Sequence, residues 1–368
     1  MEIPQMDLAR QHKPLERELK AAFAEILETN HYILGEKVAI FEKDLAKLVG
    51  TEFAVGVGSC TDALRLALAA LHIGPGDEVI TTPFSFVATA DVIVRAGAKP
   101  VFVDINPETY NISSEQVKAA ITPRTRAVIA VHLYGLPSRI NVLQPLCHAK
   151  NIALIEDCAQ ALGAEVDGKP VGSWGTIGCH SFFPTKALGG FGDGGACTLN
   201  DAELSRELQS LRVHGMRIRY VSEHIGFKSR LDALQAALLL VKLPHMHKWA
   251  EERQKSARLY DEGLKGLPIV LPSIPQGRTH VFHQYTIRTD RRDKLADHLK
   301  VNGVSTAVYY PVPIHLQPAF EFLGHKAGSY PKAEKASAEV LTLPLFAGIR
   351  PDEIEYVCEK VREFYKGK

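Results

Sequence analysis

One lysine, Lys186, stands in the segment SFFPTKALGGFGDGG (residues 181–195), between an aromatic pair and a run of glycines. An amine in so apolar a setting loses solvation of its charged form. Its pKa then falls from roughly 10.4 toward neutrality, and the free amine becomes a nucleophile for carbonyl groups. A surface lysine with its stem laid along apolar neighbours would read the same way locally, so the assignment depends on other residues. Two further segments supply them. In GVGSCTDALRLAL (56–68), glycines end a strand and a small hydroxyl residue opens a helix. The free N–H groups of a helix start, close approach at Gly58 and the hydroxyls of Ser59 and Thr61 suit a phosphate, though an ordinary capped turn has the same pattern. In IALIEDCAQALGAE (152–165) an apolar strand ends in Glu156 and Asp157. A carboxylate there faces the ligand crevice and needs a cationic partner or hydrogen bonds to stay ionised. That partner is either an arginine or the protonated nitrogen of a heterocycle, to which Gln160 could add a hydrogen bond.

Taken together, a phosphate cradle, a strand-end carboxylate and a nucleophilic amine match the three handles of pyridoxal phosphate: a phosphate, a pyridinium nitrogen and an aldehyde. The stretch GFGDGG (190–195) literally satisfies the dinucleotide fingerprint G-x-G-x-x-G. It leads into the strand-like ACTLND rather than a helix, so a dinucleotide site is rejected. Its glycines are expected to let the backbone fold tightly beside a bulky flat group.

The elements that must position these residues follow from the pattern. From Phe53 to Asn200, short β-branched runs alternate with amphipathic stretches, as in FAVGVG then TDALRLALAALHI, DEVITTP, KPVFVDI, TRAVIAVHLYG and IALIEDCAQ. This grammar predicts an α/β fold with a mostly parallel mixed sheet flanked by helices, with ligands at the carboxyl ends of the strands. Beyond Gly226 the pattern turns helical and is interrupted at Pro244, which predicts a bent helix or two consecutive ones. Strand-like THVFHQYTIRTD and GVSTAVYYP and two amphipathic segments follow. A large cofactor-binding domain over 1–245 and a smaller α+β domain over 246–368 are expected.

Composition excludes several partners. Lys+Arg 43 against Asp+Glu 42 gives a net charge of +1, so no overall field draws the chain to nucleic acid or an anionic membrane. The N-terminal MEIPQMDLARQHKPLERELK has no apolar core of a signal peptide, and LDALQAALLLVKL is too short to span a bilayer. A cytoplasmic location is the expectation. Six scattered cysteines (Cys60, Cys147, Cys158, Cys179, Cys197, Cys358) lack any C-x-x-C pair and read as buried thiols. His132, His180, His214 and His224 show no metal-ligand spacing, so no metal site is expected.

At these residues the chain resembles the DegT/DnrJ/EryC1/StrS sugar aminotransferases, a fold-type I group of pyridoxal phosphate enzymes. The resemblance runs nearly end to end through YILG, GSCTDAL, TPFSFVATA, PVFVDINPETYNI, VHLYG, EDCAQALGAE, SFFPTK, GDGGA, SRLDALQAA, YYPVPIHLQP and LTLPLF. It implies that Lys186 forms the Schiff base and moves protons, and that Asp157 pairs with the pyridine nitrogen. It further implies that Gln160 lies near the ring oxygen, Phe86 stacks on the ring face, and Cys60, Thr61 and Ser181 hold the phosphate. Tyr310 and His315 would line the sugar pocket. Many relatives have asparagine where Lys228 stands, reaching the phosphate in the neighbouring subunit, and Lys228 could contact it as a point charge. Their HLYGQP reads HLYGLP here, with Leu136 in place of a polar group. The retained lysine argues against the family's dehydratases, which carry histidine there. The resemblance thus implies a homodimer with shared active sites, with Lys228 and Arg230 as candidates given from the partner. It also implies amino transfer from glutamate, yielding 2-oxoglutarate, to a keto carbon of a nucleotide-linked sugar. C3 is favoured over C4, in the synthesis of a surface polysaccharide or related glycan. Elimination chemistry on a related sugar and a non-catalytic regulatory role are the alternatives.

Overall fold

The computed structural model describes residues 1–367. Its strands in chain order begin with β1 (Phe53–Val57), β2 (Glu78–Thr81), β3 (Lys99–Phe102), β4 (Thr125–Val131) and β5 (Ala153–Asp157). A short hairpin of β6 (Glu165–Val166) and β7 (Lys169–Pro170) precedes β8 (Ile177–Ser181) and β9 (Gly195–Leu199). The main sheet has seven strands in the order β1-β9-β8-β5-β4-β2-β3. The β8-β5-β4-β2-β3 run is parallel, while β9 is antiparallel to both its neighbours. The reversed strand explains the segment after Lys186: GFGDGG turns the chain back so that β9 starts, rather than ends, at the edge where the other strands finish.

Helices α1 (Leu8–His12), α2 (Glu16–Thr29) and α3 (Glu36–Val49) precede the sheet. The crossovers and covers are α4 (Cys60–Ala70), α5 (Ala88–Arg95), α6 (Ser114–Ala120), α7 (Ile140–Ala149), α8 (Ala202–Leu211) and α9 (Ala233–Lys242). Both sheet faces are buried, as parallel strands require. Alternate residues of β4 serve opposite cores: Ala127 and Ile129 join Leu64, Leu66 and Leu208 on one side, and Val128 and Ala130 join Ile140 and Leu143 on the other. The β-hairpin β10 (Met216–Ile218) and β11 (Val221–Ser222) projects from the segment between α8 and α9.

At Pro244 the chain forms two consecutive helices: α9 ends at Lys242, and after one 3-10 turn α10 (Met246–Leu264) begins. With β12 (Tyr285–Arg288), α11 (Arg292–Val301), α12 (Pro331–Glu339), β13 (Val340–Leu343) and α13 (Pro351–Lys366) it completes the chain. A separate core of Tyr260, Tyr285, Leu299, Leu341 and Val357 also takes in Ile3, which bridges to Val304. The N-terminal residues therefore pack with the C-terminal half. The strand expected in GVSTAVYYP does not form. That segment makes only single bridges, Val304 to Ile3 and Ala307 to Thr342 on the edge of β13 away from β12. The six cysteines are all buried and unpaired. No helix among the described residues is long and apolar enough to cross a membrane.

Candidate active site

The carboxyl edge of the sheet gathers the residues singled out by chemistry. Asp157 ends β5, Ser181 ends β8, and Lys186 follows in a turn where its N–H donates to the Phe183 carbonyl at 2.8 Å. Burial pushes the Lys186 amine below its ordinary range, with Cys60 and Asp157 pulling it partly back. The shift is in the direction that the sequence reading of Lys186 needs.

Asp157 is buried with neutral donors around it. The Thr89 hydroxyl donates to Oδ2 at 3.0 Å, the Ala159 N–H to Oδ1 at 3.2 Å, and the Cys60 thiol lies 3.9 Å from Oδ1. Burial raises the carboxyl's pKa, against which these bonds and Lys186 act. No arginine pairs with it among the described residues, so the structural alternative for this carboxylate finds no support. Gln160 is fixed at both ends: its Oε1 accepts from the Tyr134 N–H at 2.7 Å, and its Nε2 donates to the Tyr310 hydroxyl at 3.1 Å.

At the start of α4, Ser59 caps the helix through its oxygen, which accepts from the Asp62 N–H at 3.1 Å. The first-turn N–H groups of Cys60 and Thr61 have no intrahelical partner, as at any helix start. Ser229, the buried residue in the segment after β11, supports this turn, its hydroxyl oxygen accepting from the Gly58 N–H at 3.1 Å. Gly195 makes the approach possible, since a Cβ there would lie 2.4 Å from the Ser59 carbonyl carbon. The glycine run thus serves protein against protein: Gly195 packs on the cradle, and Gly189 closes on Pro184 of the lysine turn. The tight folding expected of this run is seen at these two positions.

Phe86, 55% exposed, faces Tyr310 with ring centroids 6.3 Å apart. Tyr310 reaches the site because the Ile314 N–H bonds to the Pro83 carbonyl in the loop after β2, and the Tyr134 hydroxyl bonds to the Tyr309 carbonyl. His315 is not brought to this group. Its Nε2 meets Glu334 at 3.0 Å and its ring packs on Tyr330, inside a cluster with His325. Lys228 is exposed and bridges to Val213, Arg230 is half-buried, and Leu136 is buried with its carbonyl held by Asn111 at 2.9 Å.

Sequence reasoning missed Thr89, Tyr134 and Ser229. Tyr134 has a φ of 60°, an unfavourable backbone state for so bulky a residue, and it is this turn that aims its N–H at Gln160. It also missed that His132, Glu156 and Cys158 each bring one ligand atom within 4.8 Å of the others. Two of these groups, His132 and Glu156, are already engaged. His132 Nδ1 accepts from the Ser138 N–H at 3.0 Å, and Nε2 faces Glu156 at 3.1 Å. Glu156 accepts three more N–H bonds from Gly172, Trp174 and Gly175, tying that loop to the sheet.

The model of the DegT/DnrJ/EryC1/StrS aminotransferase family matches residues 14–362. The chain belongs to this family. It is 47% identical to a pleiotropic regulatory protein of Geobacillus stearothermophilus, over 100% of this chain and 99% of that one. It is 43% identical to the UDP-N-acetyl-3-dehydro-alpha-D-glucosamine 3-aminotransferase of Acidithiobacillus ferrooxidans, over 99% and 98%. The solved structure of Streptomyces venezuelae DesV, in complex with a ketimine intermediate, superposes with a TM-score of 0.97 at 40% identity, covering 99% of both chains. Solved relatives of the same fold contain pyridoxamine or pyridoxal phosphate. The fold is that of a pyridoxal phosphate aminotransferase, and the chain is an enzyme of this class.

The residues fit the cofactor. Phosphate suits the open N–H groups of α4 and the Ser181 hydroxyl; a protonated ring nitrogen suits the buried carboxyl of Asp157, which pairs with no arginine among the described residues; an aldehyde suits the Lys186 amine; a flat ring suits the exposed face of Phe86. The cofactor, when bound, supplies the reactive carbonyl and an electron-withdrawing ring.

Proposed function

We propose that this enzyme moves an amino group from glutamate to a keto carbon, C3 rather than C4, of a nucleotide-diphosphate-linked sugar for glycan synthesis. The observation that carries the reading is the convergence of Lys186, Asp157 and Gln160 on one sheet edge, with a phosphate-suited helix start beside them. Relatives named for 3-amino and 3-oxo sugars support the choice of C3.

In this reading Lys186 would hold the cofactor through its amine and, when free of it, would serve as the base that takes the donor's α-proton and the acid that gives it back. Asp157 holds the proton on the ring nitrogen. Gln160, whose amide donates to the Tyr310 hydroxyl, would be placed to donate to the ring oxygen of a bound cofactor, and Phe86 would pack on one ring face. Lys186 serves both halves of a ping-pong cycle, first with glutamate and then with the keto sugar. Tyr310 lies on the substrate side, and His315, paired with Glu334, stands behind it. The division into domains 1–245 and 246–368 is part of the same reading, supported by the separate C-terminal core, although that core also takes in Ile3. So is the homodimer, in which Lys228 and Arg230 extend toward the neighbouring subunit's phosphate. The regulatory name of one relative favours a second reading, binding without turnover; the complete set of Lys186, Asp157 and Gln160 supports turnover instead.

The test is the visible spectrum of the purified, cofactor-loaded protein before and after glutamate, beside Lys186→Ala. The expected result is a visible band that glutamate bleaches toward the amine form, restored by a 3-keto and not a 4-keto nucleotide sugar, and absent in the variant. A band that ignores glutamate sinks amino transfer; restoration by the 4-keto sugar alone overturns C3.

A further inference from the structure

Lys242 is a completely buried cation that the chemistry at Lys186 does not use. It ends α9, where its Nζ donates to the Gly189 carbonyl at 2.5 Å and meets His12 Nε2 at 3.0 Å. The rings of Phe191 and Trp249 stand 5.5 and 5.9 Å from the ammonium. Among the described residues no carboxylate forms an ion pair with it. Elements far apart in sequence thus converge on one amine: α1 through His12, the lysine loop through Gly189 and Phe191, and α10 through Trp249.

Gly189 is the third residue after Lys186. The loop closes on itself, with Gly190 N–H on the Phe182 carbonyl at 2.7 Å, and a Cβ on Gly189 would lie 2.0 Å from the Pro184 carbonyl oxygen. Helix α9 grips it at two points, since Gln235 Oε1 accepts from the Phe191 N–H at 2.8 Å and Lys242 holds Gly189. A buried cation without a counter-ion costs stability, and a hydrocarbon of similar volume would remove that cost. What a hydrocarbon cannot provide is a charge-assisted hydrogen bond to the carbonyl.

We propose that Lys242 is a positioning residue whose ammonium, bound to the Gly189 carbonyl, holds the 184–191 loop and thereby the Lys186 amine at the sheet edge. The inference rests on the reading of Lys186 as the carbonyl-capturing amine. The titratable groups facing Lys242 are His12 from α1, whose pKa burial and Lys242 lower to about 4, and His245, stacked on Trp249 at 5.6 Å. The loop itself carries only Lys186. Burial lowers the Lys242 pKa from 10.5 to about 8. As pH rises through that value the bond to Gly189 loses its charge and the grip weakens. Global stability moves the other way: between the folded value and 10.5 the unfolded chain holds more protons, so this group's contribution rises with pH. The opposite signs separate a positioning role from a merely structural one.

The test compares the full chain with Lys242→Met and Lys242→Arg. Amide hydrogen exchange over 182–192, thermal midpoints, and the rate at which added pyridoxal phosphate is captured are read between about pH 6 and 10. At neutral pH the Met variant is expected to exchange this segment about tenfold faster than wild type, the scale of one charge-assisted hydrogen bond, with exchange elsewhere unchanged. Capture slows to a similar extent. The ratio of variant to wild type then shrinks as pH passes the Lys242 titration, while the Arg variant, charged throughout, keeps the segment protected. Unchanged exchange in the Met variant overturns the proposal, as does a rise spread evenly over the chain with a matching fall in Tm. The exchange arm needs no cofactor. If the segment responds as expected while wild type captures no pyridoxal phosphate, the role of Lys186 fails and that of Lys242 as the loop's holder stands.

Discussion

Asp157 must be an anion to hold a ring nitrogen protonated, and its burial works against that. The Thr89 hydroxyl, 3.0 Å from Oδ2, is one of the few groups favouring the charge. Thr89→Val removes the hydroxyl at nearly constant shape. A hydrogen bond to a charged group contributes about 1.5–3 kcal/mol. At about 1.36 kcal/mol per pKa unit, its loss raises the Asp157 pKa by roughly one to two units. The folded pKa already exceeds the ordinary 3.8, so between those values the native chain binds more protons than the unfolded one, and stability falls as pH rises through the interval. In the variant that fall continues to higher pH and ends about 1.5–3 kcal/mol deeper at neutrality. The assay is the thermal midpoint of cofactor-free wild type, Thr89→Val and Thr89→Ser from acid to neutral pH, with the acid limb of kcat for the loaded enzyme beside it. Thr89→Val is expected to match wild type at the acid end and fall below it toward neutrality, with the kcat limb moved up by about one unit. Thr89→Ser should follow wild type. A gap between Val and wild type that stays constant with pH would refute the reasoning, because Thr89 would then act through packing alone.

Gly195→Ala would place a Cβ 2.4 Å from the Ser59 carbonyl carbon, with backbone on both sides of the clash. A loss of about 1–3 kcal/mol in stability is expected, and a weaker grip on pyridoxal phosphate than wild type's, read by melting and cofactor titration. Glu156→Gln sets an amide N–H against a cluster of N–H donors and is expected to cost about 1–3 kcal/mol for each donor left unsatisfied in urea unfolding at neutral pH. The Glu156 pKa is lowered: burial would raise it, but His132 and the N–H groups of Gly172 and Gly175 outweigh that. Its contribution is therefore present above 4.5 and fades as pH falls through the folded value, so the gap between Gln and wild type should close on acidification.

Lys186, Asp157 and the start of α4 were legible because each role needs an uncommon side chain in a locally recognisable place: an amine among glycines, a carboxylate ending an apolar strand, a hydroxyl after a glycine. The parallel sheet, though not the reversal at β9, was legible from its β-branched runs. What supports those groups was not. Thr89 lies in the first turn of α5, and nothing in TPFSFVATA says that this turn faces β5 across the sheet edge. Tyr134 aims its N–H through a backbone state that no local pattern forces. His315 looked like a pocket residue until its pairing with Glu334, nineteen positions on, drew it into another cluster. Lys186 and Lys242 make the contrast sharpest. Both are lysines in apolar surroundings, and local reasoning about desolvation applies to each. Lys242 sits at the end of a helix where a terminal cation needs no explanation. Only the packing of α1, α10 and the glycine loop seals it from water and turns its proton toward Gly189. The side chain read as chemical and the one proposed to hold it in place are the same residue type, and the second is visible only in tertiary contact.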